Sequence, residues 1–286
     1  MVVLLLLDGW GIAPAGESNA ISAVKTPVFS DLVKEYPVAV LAPGASSLNT
    51  RYLCLGSGRD ITDENTAVTG TLTAVLSAAG MKQIKISETE RFAALTHFFN
   101  GHAENKASGE DWRIISSEAG DHSVKPALAM QRTVKEIIKA VKEPEAASLI
   151  IAAIPYLDLV AMSGDFVSVK KAVAALDKKL KDIVSAVLSQ NGTLIISSAC
   201  GNAERMRNLG TDLADTELTE NPVPLLLIGS ELKGQNIGLA DPLSGDLSLL
   251  APIGSLADLA PTILSILGLT VPREMTGQNL IDLNKE

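Results

Sequence analysis

Leu194-Ile195-Ile196-Ser197-Ser198-Ala199-Cys200-Gly201-Asn202-Ala203-Glu204-Arg205-Met206 is the stretch on which the reading of this chain turns. It opens with an apolar run of the kind that makes a buried strand, and Gly201-Asn202 then carries the chain into a polar loop. Working outward, Val2 to Leu7 repeats the pattern: it is apolar on both faces, as a central strand of a parallel sheet is, and it ends at Asp8-Gly9. Ser148 to Ile154 and Val223 to Ile228 are further strands, as are the shorter Val38 to Leu41, Gln83 to Ile86 and Trp112 to Ser116.

Helical patterns separate these strands. From Val167 to Leu188, Val169, Ala172, Val173, Leu176, Leu180, Ile183, Val184 and Val187 recur at helical spacing, and Asp177 is placed to pair with Lys181 on the wet face. Thr26-Pro27 opens a helix to about Tyr36 with Thr26 as N-cap. Val68 to Ala79 reads as a helix stopped by Gly80, Met130 to Val141 as one ending ahead of Pro144, and Ser255 as the cap of a helix to Leu267 that Gly268 terminates. Strands alternating with helices predict an α/β domain whose mainly parallel sheet has helices on both faces. No internal repeat or low-complexity linker divides the chain, and the polar run Arg59 to Thr66 and the stretch Gly229 to Gly254 read as surface loops.

Composition narrows the function. The chain has 286 residues, 47% of them hydrophobic, enough for one large core. A net charge of -9 argues against a nucleic-acid partner, which demands clustered Lys and Arg. The opening apolar run is too short to span a bilayer and lacks the basic start of a signal peptide, so no membrane role and a cytoplasmic location are expected. Cys54 and Cys200, far apart in sequence, do not make a disulfide framework. The short Gly56-x-Gly58 lacks the third glycine of a dinucleotide-binding turn.

Asp8-Gly9-Trp10-Gly11, Ser87-Glu88-Thr89-Glu90, Phe98-Phe99-Asn100-Gly101, Gly201-Asn202-Ala203-Glu204, Pro222-Val223-Pro224 and Glu274-Met275-Thr276-Gly277 occur in this order along the chain. Together they closely resemble the cofactor-independent phosphoglycerate mutases of the alkaline phosphatase superfamily. The resemblance implies one alkaline-phosphatase-like domain over residues 1–286. In that family a second domain is inserted shortly after a Leu-Gly-Ala-Gly-Arg segment. Here Leu55-Gly56-Ser57-Gly58-Arg59 is followed almost at once by the next family helix, which implies deletion of the inserted domain near residues 60–67.

The family's catalytic set holds two divalent metals and a serine that carries the phosphoryl group. Asp8 and Asp158 match two of its metal-binding aspartates, although Asp8 at a strand end could equally cap the following turn. Met162 stands where a histidine ligand is expected, Ala199 and Cys200 replace an Asp-His pair, and Leu218 falls where another histidine should precede Pro-Val-Pro. Counting back from Leu55-Gly56-Ser57-Gly58-Arg59 puts the serine on Leu48, and a one-residue gap brings Ser47 there instead; Ser46 and Ser47 also read as helix N-caps. Arg91 takes the catalytic lysine position, and Ala94 replaces a nearby histidine.

The candidate catalytic residues are therefore Ser47, Arg91 and Cys200, and the candidate metal ligands Asp8 and Asp158, with Asp165, Asp60 or Glu204 as substitutes. A nucleophilic Cys200 would need a base from the three histidines, His97, His102 and His122, and the plainer reading makes Cys200 and Cys54 buried hydrophobes. This pattern implies a phosphoglycerate-mutase-like protein without two-metal catalysis, serving a binding, regulatory or scaffold role toward a small molecule or protein. The alternative is an active metal-dependent phosphomutase or phosphatase. No cofactor is expected, with low-affinity Mn, Mg or Zn as the fallback.

Overall fold

The computed structural model describes residues 1–117, 126–143, 145, 147–208, 210–237 and 245–281. Val2–Leu7 forms β1, the middle of a seven-stranded sheet. Its neighbours are β5 (Leu149–Ile154) and β6 (Thr193–Ser197), both parallel to it. β3 (Gln83–Glu88) and β4 (Glu110–Ile115) extend the sheet beyond β5, while β7 (Val223–Ile228) and β2 (Val38–Leu41) extend it beyond β6, giving the order β2-β7-β6-β1-β5-β3-β4. β7 runs antiparallel to both neighbours and the remaining pairs are parallel.

β1 is apolar at every position because both faces are covered. Val3, Leu5 and Leu7 join one core with α1 (Pro27–Glu35), α4 (Pro126–Val141), α5 (Tyr156–Ala161) and α6 (Phe166–Ser189). Val2, Leu4 and Leu6 join the other with α2 (Leu48–Ser57), α3 (Leu72–Ala78) and α7 (Leu259–Ile266). Each such side chain, fully withdrawn from water, contributes about 1.5–3 kcal/mol before conformational entropy is subtracted. This is the α/β architecture with helices on both faces that the alternating pattern predicts.

Three local expectations are corrected. Asp177 does not lie on a wet face with Lys181: it is buried, and its carboxylate accepts from the N–H groups of Val28 (3.2 Å) and Phe29 (2.8 Å). It thus caps α1 from the middle of α6, and Thr26 makes no side-chain cap. The helix expected from Val68 begins only at Leu72, where Thr71 accepts from Ala74 N–H. Ser255, by contrast, is the N-cap expected: its capping box opens a 3₁₀ turn over Leu256–Asp258 that leads into α7. His122, Pro144 and part of the stretch Gly229 to Gly254 lie outside the described residues. No helix among the described residues is long and apolar enough to cross a membrane.

Candidate functional site

Parallel strands deliver the candidate residues to one edge of the sheet. In register, Leu7 of β1 stands beside Ile154 of β5, and Leu6 beside Ser197 of β6. Asp8 therefore follows β1 directly, Asp158 lies in the first turn of α5 after β5, and Ala199-Cys200 follow β6, all at the carboxyl strand ends. Gly9 lets these loops touch. Its φ is +94°, and a Cβ there would come within 2.5 Å of Asp158 N, so only glycine permits the approach. The junction is tied by Asp158 N–H to Asp8 O (3.0 Å), Gly9 N–H to Cys200 O (2.9 Å) and Ala203 N–H to Gly9 O (3.0 Å).

Arg91 enters from the turn after β3 and lies between the two carboxylates. Its Nε donates to Asp8 Oδ2 at 2.7 Å and its Nη2 donates to Asp158 Oδ2. All three side chains are buried. Burial alone would lower the Arg91 guanidinium, but Asp8 and Asp158 outweigh it and hold the group well above its ordinary value. Three further donors reach the carboxylates: Tyr52 O–H donates to Asp8 Oδ2 (2.8 Å), Ala199 N–H to Asp8 Oδ1 (3.2 Å) and Asn202 Nδ2 to Asp158 Oδ1 (2.9 Å). Asp8 thus reaches across to three other segments and does not cap its own turn.

Asn202 Oδ1 is buried and has no hydrogen-bond partner. The amide Nδ2, not this oxygen, faces Asp158, so Asp8 and Asp158 stand at the strand ends as a carboxylate pair already bridged by Arg91, and two such carboxylates do not fit a divalent ion, which needs several oxygen ligands. Among the described residues no group of three or more His, Cys, Asp or Glu side chains could hold a metal. Met162 is 57% exposed and Leu218 half-buried, while Ala199 and Cys200 are buried in the loop. A second guanidinium fills the space behind that loop: Arg51 donates to Ala45 O (2.6 Å), Ala199 O (3.4 Å) and Thr219 O (3.0 Å).

The other candidates are engaged elsewhere. Ser47 caps α2, accepting from Thr50 N–H at 3.1 Å and donating to Glu64 Oε2 at 3.1 Å. Leu48 is half-buried at the first position of α2 and packs against the core. Cys200 is fully buried; burial pushes its thiol well up, with Asp158 and Asp8 adding to the effect, so no thiolate forms there. His97 and His102 sit together, ring centres 5.3 Å apart, with Phe98 packed edge-on to His97. Asp165 caps α6 by accepting from Val167 N–H (3.0 Å), and Asp60 accepts from Ser255 Oγ (2.8 Å). Glu204 is buried in its own loop, accepting from Asn202 N–H (2.8 Å), Asn221 Nδ2 (3.0 Å) and the Thr219 hydroxyl. All three substitutes are thus engaged away from Asp8 and Asp158. Cys54 is a core residue, bonded to Ile61.

Tyr52, Asn202 and Arg51 were not singled out by sequence reasoning. Asn202 lay in plain view within Gly201-Asn202-Ala203-Glu204, but nothing about a lone asparagine marks it as a partner for a carboxylate 44 residues away.

The family model for the Metalloenzyme superfamily matches residues 1–271. Among curated proteins, the 2,3-bisphosphoglycerate-independent phosphoglycerate mutase of Acetivibrio thermocellus is 37% identical over 207 residues, covering 72% of this chain and 37% of that protein. The enzyme of the same name from Vibrio vulnificus is 31% identical over 266 residues, covering 93% of this chain and 45% of its own length. The chain thus spans about two fifths of the length of the curated relatives it matches. Among solved structures, Leishmania mexicana phosphoglycerate mutase, described at low cobalt concentration, superposes with a TM-score of 0.63 at 24% identity over 74% of this chain and 39% of its own. Alkaline phosphatase from the Antarctic bacterium TAB5 does so with a TM-score of 0.57 at 12% identity over 94% and 98%. Both give the fold. The expectation that no cofactor is needed, with low-affinity metal as the fallback, is corrected by the family match: a superfamily of metalloenzymes points to dependence on a divalent metal.

Proposed function

The chain belongs to the Metalloenzyme superfamily, and from that premise we propose that it is a phosphomutase-like domain with a binding or regulatory role, in which phosphoryl transfer is silent. One observation carries this: the cation lying between Asp8 and Asp158 is the guanidinium of Arg91, bonded to both. A carboxylate saturated by an arginine cannot help to activate a hydroxyl. Ser47, the serine nearest the family's position, has its oxygen committed to the first turn of α2. A serine needs a base or metal to ionise it. Asp8 and Asp158, both bonded to Arg91, are too few oxygen ligands for the divalent ion of the family.

We also read the chain as a single alkaline-phosphatase-like domain, cytoplasmic, with the inserted domain deleted near residues 60–67. In support, only Arg59 to Gly70 separates Gly58, which ends α2, from Thr71, which caps α3. Loss of that domain would remove much of the grip on a sugar phosphate. The competing reading is an active metal-dependent phosphomutase or phosphatase. It is favoured by the superfamily. Assay of phosphoglycerate interconversion and of aryl phosphate hydrolysis in Mn, Mg and Zn separates the two. The expected result is no turnover above a buffer control; turnover that disappears in Ser47→Ala would overturn the silent reading and make Ser47 the nucleophile.

A further inference from the structure

Away from the strand ends, a lysine lies buried in the middle of β3. The Lys85 Nζ donates to Thr73 Oγ1 (3.0 Å) and to Asn100 Oδ1, and it stands 2.9 Å from Glu110 Oε1. The Phe99 ring packs over it, its centre 4.7 Å from Nζ. Thr73 belongs to α3, Asn100 lies just after the turn Ala94–Phe98, and Glu110 opens β4. All four polar side chains are buried, so water is kept from the cluster.

Keeping a lysine charged inside a core needs only the carboxylate, and three contacts go beyond that need. Cγ of Asn100 lies just one carbonyl bond beyond Oδ1, so the amine is held within reach of an electrophilic carbon. Glu110 Oε1 is 2.9 Å from Nζ and 3.0 Å from Asn100 Nδ2, where one carboxylate can carry a proton from the amine to the amide nitrogen. Thr73 Oγ1 donates to Asn100 Oδ1 at 2.7 Å, the place of an oxyanion donor. Burial pushes the Lys85 amine down from 10.5 to about 8 against the pull of Glu110, which makes an uncharged nucleophile accessible near neutral pH.

We propose that Lys85 and Asn100 join covalently in the folded chain, the Lys85 amine replacing the side-chain amide nitrogen of Asn100 with loss of ammonia, and Glu110 carrying the proton. The uncharged amine adds to Cγ, and the negative charge that develops on Oδ1 is met by the Thr73 hydroxyl. Glu110 takes a proton from Nζ and passes it to Nδ2. The Cγ–Nδ2 bond then breaks, Nδ2 departs as ammonia, and Nζ and Cγ remain as an amide, so atoms and charge balance without an oxidant or co-reactant. Glu110 ends as it began and keeps a donor in Ala107 N–H (2.9 Å). The new bond ties β3 to the segment that follows Ala94–Phe98, whatever happens at Asp8, Asp158 and Arg91. Ring closure of Asn100 with the nitrogen of Gly101 would also release ammonia, but that N–H already donates to Phe98 O at 2.9 Å.

The test is the mass of the chain, held folded at a pH above the Lys85 value of about 8, then denatured and digested with trypsin. The parent should be lighter than its sequence by one ammonia, cleavage after Lys85 should stop, and residues 83–91 should run joined to residues 92–106. Lys85→Arg, which keeps a cation beside Glu110, should have its full sequence mass. Glu110→Gln, verified as folded by circular dichroism, should leave the two segments separate. A parent of full sequence mass would overturn the proposal. So would loss of ammonia with cleavage after Lys85 intact, which assigns the loss to Asn100-Gly101, and so would joined segments in Glu110→Gln. If neither variant folds, the peptide map of the parent decides alone.

Discussion

Glu88, the last residue of β3, supplies the sharpest quantitative expectation. It is buried, and burial pushes its carboxyl up from 4.5 to about 7; Glu90 adds to this, while a hydrogen bond from Thr133 and the charges of Arg132 and Arg91 work against it. The geometry agrees with a protonated acid. Thr133 Oγ1 lies 3.2 Å from Glu88 Oε1 and 3.1 Å from Ala129 O, but a hydroxyl has one proton. If Glu88 carries its proton it can donate to Thr133, which then donates to Ala129; if Glu88 is ionised, one of the two acceptors goes without.

Because the folded carboxyl binds its proton more tightly than the unfolded one, the stabilisation is complete below about pH 4.5 and is lost as pH rises through about 7. The displacement corresponds to about 3 kcal/mol at about 1.4 kcal/mol per pH unit. Glu88→Gln should remove this dependence, since the amide N–H₂ takes the place of the acid proton toward Thr133. Urea unfolding of parent and variant from pH 4.5 to 8.5 isolates the effect, because the other ionisable groups cancel in the difference. The stability of Glu88→Gln relative to the parent should rise by about 3 kcal/mol across that interval. A difference flat to within about 0.5 kcal/mol would show that Glu88 is ionised in the fold and refute the reasoning.

Other perturbations follow from the same packing. Asp177→Ala strips the cap from two N–H groups at the start of α1 and should cost about 1–3 kcal/mol in urea unfolding, whereas Asp177→Asn, which keeps one oxygen, should cost less. Gly56→Ala would normally favour a helix by about 1 kcal/mol, but the added Cβ would meet Phe99 O at 1.8 Å; the variant should lose at least about 4 kcal/mol or fail to accumulate folded. Glu110→Gln leaves Lys85, buried 2.9 Å from Glu110, without its counter-charge and should cost about 3–5 kcal/mol by thermal or urea unfolding. A loss under about 1 kcal/mol would mean that Asn100 and Thr73 alone satisfy the ammonium.

Features with a period or a local partner were legible in the sequence. β1 is apolar on both faces and the helix of Val169, Ala172, Val173 and Leu176 has its stripe, so both stand where the pattern puts them. Ser47 caps α2 through a residue three positions away, which sequence spacing can express. Asp177 illustrates the limit: Lys181 at four residues suggests an ion pair, but the partners it takes belong to another helix 148 residues earlier. The direction of β7 was equally hidden, since alternation and burial are the same for parallel and antiparallel strands. At the site, motif order put Asp8, Asp158 and Arg91 in view, and only the folded sheet, with β5 between β1 and β3, brings the arginine onto both carboxylates. The expectation of no cofactor came from counting lost imidazoles, a reading of single positions that the family match over residues 1–271 overturns.

The central position of β1 also bears on how the chain is made. β1 ends at Leu7, but its partners β5 and β6 end at Ile154 and Ser197, so the strand leaves the ribosome about 190 residues before its second edge can pair. At about 5–20 residues per second that is a wait of roughly 10–40 s for Val-Val-Leu-Leu-Leu-Leu, an uncharged β-prone hexamer with both edges open. A nascent-chain chaperone that grips short aliphatic segments would find its strongest site there, and recombinant yield should depend on translation speed more than on the stability of the finished fold.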